Sequence, residues 1–417
     1  MKIISDFSST TAPWRPRQSV FSTYLAPHSL AAPSLVADFE ADLAYQGGAA
    51  TTIEVPFISN TPLGRTVEAA DGTIQSVGLG GLPIIQGALM LQGSHSNQII
   101  HSNATTQGWS PMGAKPLTDM ALGALTQFGG VKVASNGATW NRAAAAAVTL
   151  TAGQSYRVTV WYQLGTSGKR RVELYQASPF TVLSVRGAPM STTFGASGGT
   201  LTELEEIEVQ PDIYRLSFTI TPSHAITARF GIGPDSAVSN EDVIALGMQI
   251  DEAGDQGCYI ATTGSALSLP ADSVMATPPN AVANAGALFL ELTTKKADMF
   301  LASLNDGTLT NSIDIATSAS DIALTVTSNS VANYNTSVAY GGGDKRKIAF
   351  AYDPSGISFA VDGSIIQHAG GINMPILHTI SLGQSLIPSL KNYDGRITAL
   401  SFFPQRISDL DLISMTS

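Results

Sequence analysis

Along much of this chain apolar and polar residues alternate one for one, the two-residue period of a pleated strand with one buried face. Tyr156, Val158, Val160 and Tyr162 alternate with Arg157, Thr159 and Trp161. Tyr214, Leu216, Phe218 and Ile220 alternate with Arg215, Ser217 and Thr219, and Ile226, Ala228, Phe230 and Ile232 repeat the period. Ile244, Leu246, Met248 and Ile250 line one face of a further strand, which runs into a Gly-rich acidic turn. Strands of this kind predict a sandwich or jelly roll, in which two sheets cover each other's apolar faces. The alanines at 143–147 favour a helix by propensity. The run is short, however, and leads into Val148-Thr149-Leu150-Thr151 and a turn at Gly153, so it reads as the approach to a strand.

The same style returns over 284–405. Leu288, Leu290 and Leu292 alternate, and strands are expected around 299–304, 311–316 and 322–327. Ile348, Phe350 and Tyr352 lead into Asp353-Pro354-Ser355-Gly356, a turn with proline at its second position. Ile357, Phe359 and Val361 reach Asp362-Gly363, a strong hairpin signal. Two more strands are expected at 376–382 and 396–403. Ser408 is placed to cap a short closing helix, with Asp409 and Asp411 in its first turn. No heptad repeat predicts a coiled-coil stalk.

Before these regions the pattern weakens. Residues 1–35, with Pro13, Pro16, Pro27 and Pro33 and irregularly spaced aromatics, read as an extended arm. Over 36–95, short apolar runs broken by Gly47-Gly48, Asn60-Thr61-Pro62, Asp71-Gly72 and Gly80-Gly81 predict a small β region. The expected architecture is therefore all-β: an arm over 1–35, a small β region over 36–95, a jelly roll over 96–270 and a second sandwich over 280–417.

Composition changes the picture in one respect. At 417 residues the chain exceeds one ordinary core, and charged residues are only 13% of it, well below the usual share. A surface poor in Lys and Glu offers little resistance to protein contact, which points to burial in an assembly. A net charge of −10 argues against a nucleic-acid partner, since phosphate binding needs concentrated positive charge. Lys169-Arg170-Arg171 and Lys345-Arg346-Lys347 read as solvated faces. No apolar run approaches the ~20 residues of a membrane span, and Met1-Lys2-Ile3-Ile4 opens no signal peptide. The single cysteine, Cys258, excludes an internal disulfide framework and reads as a small, partly buried side chain.

Candidate chemistry is sparse. His95 and His101 stand six apart, a spacing that suits no common zinc site. Glu206 and Glu208 on one strand face would lie ~7 Å apart, inside the ~6.5–9.5 Å range of inverting glycoside hydrolases. Their stretch reads as an exposed loop or edge strand, where carboxylates deter edge-to-edge pairing. Gly341-Gly342-Gly343-Asp344-Lys345 lacks the order of a P-loop and is a turn. Sugar binding is the stronger prospect, because aromatic faces stack on pyranose rings while Asn, Asp and Arg bond to hydroxyls. Trp161 and Arg157 lie on the outward face of their strand, and Trp109 and Trp140 sit near loops. These four are the glycan-binding candidates; no catalytic residue, metal ligand or cofactor is expected.

The order of several short motifs carries a resemblance. Gly72-Thr73-Ile74 and Leu89-Met90-Leu91 precede Asn97-Gln98-Ile99-Ile100-His101-Ser102-Asn103 and Trp109. Val148 to Tyr156 and then Gly247 to Glu252 and Tyr259 to Ala266 follow. The set resembles a carbohydrate-binding-like module of tailed-phage virion proteins. Ala351-Tyr352-Asp353, Ala360-Val361-Asp362-Gly363 and the stretch from Gly395 to Leu410 are similar to a concanavalin A-like lectin sandwich of the laminin-G type. The resemblance implies a non-enzymatic structural protein of the virion, as a tail fibre, tail tip or capsid-attached fibre. Its arm would dock on other virion proteins, trimers are common among such proteins, and host surface polysaccharide is a candidate ligand. A surface-polysaccharide depolymerase is the alternative. The resemblance also allows calcium near Asp344, Asp353 and Asp394 without requiring it.

Overall fold

Alternating side chains can bury one face only if a second sheet covers it, and the chain satisfies this twice. The computed structural model describes residues 33–39, strand segments between 43 and 85, and 88–417 apart from 122–127, 139, 253–258, 279–283, 294–297, 309, 319, 341–344 and 384–391. The arm expected over 1–35 lies almost wholly outside the described residues, as do Cys258 and the glycines at 341–343. Within the described residues the fold is all-β, with one short helix at Asp409–Thr416.

The first sandwich is a jelly roll. Its six-stranded sheet runs, edge to edge, Thr118–Asp119, Val131–Ala134, Asp242–Asp251, Tyr156–Leu164, Ile213–Pro222 and Gly199–Gln210. Facing it, a seven-stranded sheet runs Ser110–Met112, Arg142–Ala144, Ile226–Pro234, Arg170–Gln176, Thr181–Ala188 and Ser191–Ser197, with Val148–Leu150 also paired to Ile226–Pro234. Val158, Val160, Leu216, Phe218 and Met248 from the first sheet pack on Val172, Leu174, Leu183, Phe230 and Ile232 from the second. Arg170 is fully buried and joins the sheets through a 2.7 Å ion pair with Glu206, so the basic run at 169–171 is not a solvated face.

One expected strand face is broken. Trp161 pairs with Gly247 while the next residue, Tyr162, pairs with Ala245, a β-bulge that leaves Leu246 as the extra residue. Val243, Ala245, Met248 and Ile250 therefore point into the core. Leu246 turns outward, where Phe128, Trp161 and Tyr259 enclose it in a separate apolar cluster.

The second sandwich has a ten-stranded and a seven-stranded sheet. Leu288, Leu290, Phe350 and Phe402 of one face Leu301, Ile313, Leu324 and Leu382 of the other. The opposite face of the ten-stranded sheet, with Val36, Ala287, Phe289 and Phe403, is covered by Leu412 and Met415 of the helix. Ser408 caps that helix, its hydroxyl accepting from the Asp411 amide at 3.2 Å. The strand expected over 376–382 begins only at Thr379.

Segments grouped as a small β region, 36–95, have partners at the far end of the chain. Leu35–Asp38 pairs antiparallel with Gly395–Phe403, placing Leu35 opposite Phe402. Ala88–Leu91 pairs with the other end of the same strand, and Phe57–Ser59 pairs with Ser273–Ala276 in the opposing sheet. The jelly roll is thus an excursion that leaves the second sandwich after Leu91 and rejoins it at Ser273.

A histidine marks that crossing. His95 donates from Nδ1 to Asp251 Oδ2, 2.5 Å away, at the end of a jelly-roll strand. Its Nε2 lies 3.3 Å from Asp394 Oδ2, beside the second sandwich. Burial alone would lower its pKa, but the carboxylates of Asp251 and Asp394 outweigh burial and push it up to about 9. Stability from this contact is thus fully present below the ordinary pKa of 6.5 and lost as pH rises towards 9, on the order of 3 kcal/mol. Thermal unfolding followed from pH 6 to pH 9.5 is expected to weaken more steeply in the native chain than in His95→Gln. Identical slopes would remove the ionised contact from the account.

Candidate functional site

The exposed aromatic cleft of the jelly roll is built on an arginine that crosses a strand. In Ile226–Pro234 the inward positions hold Ile226, Ala228, Phe230 and Ile232, while the outward ones are Thr227, Arg229, Gly231 and Gly233. Two adjacent outward positions without side chains leave a trough. A Cβ at Gly231 would come within 3.2 Å of Arg142 Cβ, and one at Gly233 within 1.7 Å of the Asn141 carbonyl. Arg142, on the neighbouring strand, lies over this trough and pairs with Glu173 on the strand beyond. Glu173 is 1% exposed. Burial raises its pKa while Arg142, then Arg171, act to lower it.

Aromatic rings surround the guanidinium. The Trp140 ring lies 5.2 Å from the Arg142 guanidinium carbon and 4.9 Å from that of Arg171. Arg171 is itself held by Asp235 at 2.9 Å. The Tyr175 ring centre is 5.7 Å from Arg142, and Phe180 meets Tyr175 edge-on at 6.5 Å. With Met112 and Gly113 these residues line an open cleft of about 500 Å³. Trp140 is 46% exposed and Phe180 59% exposed, so both present ring surface to solvent. Cation–π contacts of this kind hold an indole in place at ~1 kcal/mol each, leaving its outer face available for stacking.

Of the four residues singled out from sequence, only Trp140 lies in this cleft. Trp109 is buried in the jelly-roll core, its Nε1 donating to the His101 carbonyl at 2.7 Å. Trp161 and Arg157 do point away from that core, as expected, but other chain segments cover their face. Trp161 packs against Phe128 at 5.3 Å and Tyr259 at 4.8 Å. Arg157 is buried and donates to Ser217 Oγ at 2.9 Å and to the Glu203 carbonyl. Neither can reach a ligand without displacing protein. Arg142, Tyr175, Phe180 and Met112 were not singled out. Their one sequence signal is the pair Gly231 and Gly233, two gaps in the outward half of an otherwise regular strand.

The carboxylate pair is divided. Gly199–Gln210 is an edge strand as expected, but Glu206 is buried. Its Oε1 accepts from Tyr162 Oη at 2.6 Å and from Arg170, and its Oε2 accepts from Arg170 and from the Met190 amide at 2.9 Å. Glu208 is exposed and accepts from the Asp212 amide. One member is consumed as a structural acceptor, so the two do not form an acid–base pair.

Nor do the aspartates considered for calcium converge. Asp353 accepts from Ser355 and pairs with Arg406 at 3.4 Å, Asp394 sits beside His95, and Asp344 is outside the described residues. Among the described residues no cluster of three or more His, Cys, Asp or Glu is placed to hold a metal ion, and no helix is long and apolar enough to cross a membrane.

No protein-family model matches the chain, and no curated protein does. Over part of its length the chain is similar to several solved structures. A leech intramolecular trans-sialidase complexed with 2,7-anhydro-Neu5Ac is 16% identical over 33% of this chain and 24% of its own, with a TM-score of 0.26. A structure of botulinum neurotoxin type C, whose cell entry depends on two ganglioside molecules, is 9% identical over 34% of this chain and 39% of its own, at 0.29. The LG4-5 domains of mouse laminin α1 are 8% identical over 66% of this chain and 91% of their own, at 0.26. The chain thus spans about a quarter of the trans-sialidase and two-fifths of the toxin chain.

Replacing Glu206 with Gln leaves the Arg170 charge buried without its partner, which costs about 3–5 kcal/mol. Denaturant unfolding of Glu206→Gln is expected to show that loss, whereas Glu208→Gln stays within about 0.5 kcal/mol of the native chain. Equal stability of both variants would contradict the structural role of Glu206.

Proposed function

We propose that this chain is a glycan-binding structural protein of a tailed-phage particle and that the Trp140 cleft is its sugar site. The observation that carries the sugar reading is the indole of Trp140, held by two guanidinia within 5.2 Å of its ring and still 46% exposed. A pyranose presents a face of C–H groups that packs on such a ring, while Tyr175 and the remaining N–H groups of Arg142 supply polar contacts at the floor. Small-molecule sites share this build: apolar and aromatic walls with a few placed polar groups.

The particle setting is supported by the ordered motifs from Gly72 to Leu410 and by a chain in which only 13% of residues are charged. Assembly through 1–35 and a homo-oligomer belong to the same proposal. The depolymerase alternative is disfavoured by one contact, the ion pair that ties up Glu206.

A glycan array probed with the full chain is expected to give a restricted set of hits. Trp140→Ala should weaken each hit at least tenfold, since anchor aromatics contribute about 2 kcal/mol or more, while loss of its two cation–π contacts lowers stability by no more than about 2 kcal/mol. Hits that survive Trp140→Ala would place the sugar site elsewhere. Mass spectrometry of purified particles from a phage encoding this chain should recover it at structural copy number; its absence from particles would overturn the virion assignment.

A further inference from the structure

Charge is divided between the two sheets of the jelly roll. The strands of the six-stranded sheet carry Asp119, Glu203, Glu205, Glu206, Glu208, Asp242 and Asp251 against Lys132, Arg157 and Arg215. The strands of the facing sheet carry one carboxylate, Glu173, against Arg142, Arg170, Arg171, Arg186 and Arg229. Arg170 turns inward to Glu206. The other four share the outward face with the cleft, in a chain whose net charge is −10. Register places them as neighbours: Arg186 stands opposite Arg171, Arg171 opposite Gly233, and Arg229 opposite Tyr175 of the cleft wall.

Protein carboxylates account for only part of this charge. Glu173 holds Arg142, and Asp235 holds Arg171. Arg186 and Arg229 are exposed, and among the described residues neither has a carboxylate within ion-pair distance. Among the described residues the one polar contact of the Arg229 guanidinium is a long one, 3.5 Å to Ser110 Oγ, two residues from Met112 of the cleft. Arg229 is exposed and stands opposite Tyr175 of the cleft wall, leaving most donors of its planar fork to solvent. That geometry matches a carboxylate, which accepts two parallel N–H bonds from one guanidinium.

Resting on the reading of the cleft as a sugar site, we propose that its ligand is an acidic saccharide, a glycan bearing a uronic or sialic acid carboxylate, with Arg229 as the residue that takes the carboxylate. The ring of the acidic unit or its neighbour lies on Trp140, Tyr175 borders the sugar, and Arg186 and Arg171 add attraction along the strand direction for a chain carrying repeated charges. Binding then weakens with salt, because a partly exposed ion pair is screened.

The test compares saccharides that differ only in the acid group. Oligogalacturonate and its methyl ester, and sialyllactose and lactose, are titrated into the full chain by calorimetry at 0.05 M and 0.5 M NaCl. At least one acidic member should bind tenfold or more tightly than its neutral twin, with the difference shrinking at high salt. Arg229→Gln should bring the acid down to the level of the neutral sugar without changing the melting temperature, Arg229→Lys should restore part of the preference, and Trp140→Ala should weaken both sugars. Equal, Trp140-dependent affinity for acid and neutral twins would overturn this inference while leaving the sugar site in place. An acid preference untouched by Arg229→Gln would overturn the role of Arg229. Failure of every sugar to bind, or binding indifferent to Trp140→Ala, would overturn the inference together with the site.

Discussion

A guanidinium lying across a strand that has no side chains in its path sets the shape of the cleft. Arg142 reaches Glu173 only because the intervening strand presents Gly231 and Gly233 there, and a side chain at Gly233 would run into the Asn141 carbonyl. A buried ion pair is weak evidence for stability by itself, but removing one partner strands the other's charge, so the pair holds its geometry firmly. Trp140 inherits that rigidity through its contacts with Arg142 and Arg171. A ring that is already placed loses little freedom when a ligand stacks on it, which favours binding.

The jelly roll that carries the cleft is held at both ends by the second sandwich. Ala88–Leu91 pairs with Gly395–Phe403 in one sheet and Ser273–Ala276 with Thr379–Gly383 in the other, and the pairing of His95–Asn97 with Leu267–Leu269 closes the base of the excursion. Above that base the two crossing segments clasp each other. Ser102 and Thr262 exchange hydrogen bonds at 2.8 Å, and Asn97 Nδ2 donates to the Ile260 carbonyl at 2.8 Å. Polar side chains buried here satisfy backbone groups that no sheet reaches.

Much of the fold was legible because two-residue alternation survives wherever a strand has one core face, as in Tyr156–Leu164 and Ile213–Pro222. It misled where a bulge shifted the period at Leu246, a feature that pairing geometry sets and local sequence does not announce. Nor could it reveal that Leu35–Asp38 would pair with a strand some 360 residues later, since no local signal encodes a partner at that distance. The motifs at 97–103, 247–252 and 259–266 turn out to hold the clasp, so they report on architecture and say little about ligand. For the site, alternation gave the direction of Trp161 and Arg157 correctly but not the segments that cover them. Trp140 stood out as an aromatic near a loop; its companions, drawn from three other strands and a turn, become neighbours only in the folded sheet.

The sharpest check follows the tryptophan indole N–H signals by NMR while the tightest-binding glycan is titrated into the full chain. The chain has four tryptophans, Trp14, Trp109, Trp140 and Trp161. The account predicts that the Trp140 resonance, assigned by its loss in Trp140→Phe, moves with ligand while those of Trp109 and Trp161 stay in place. A shift at Trp109 or Trp161 with Trp140 unmoved would contradict the placement of the sugar site on this cleft.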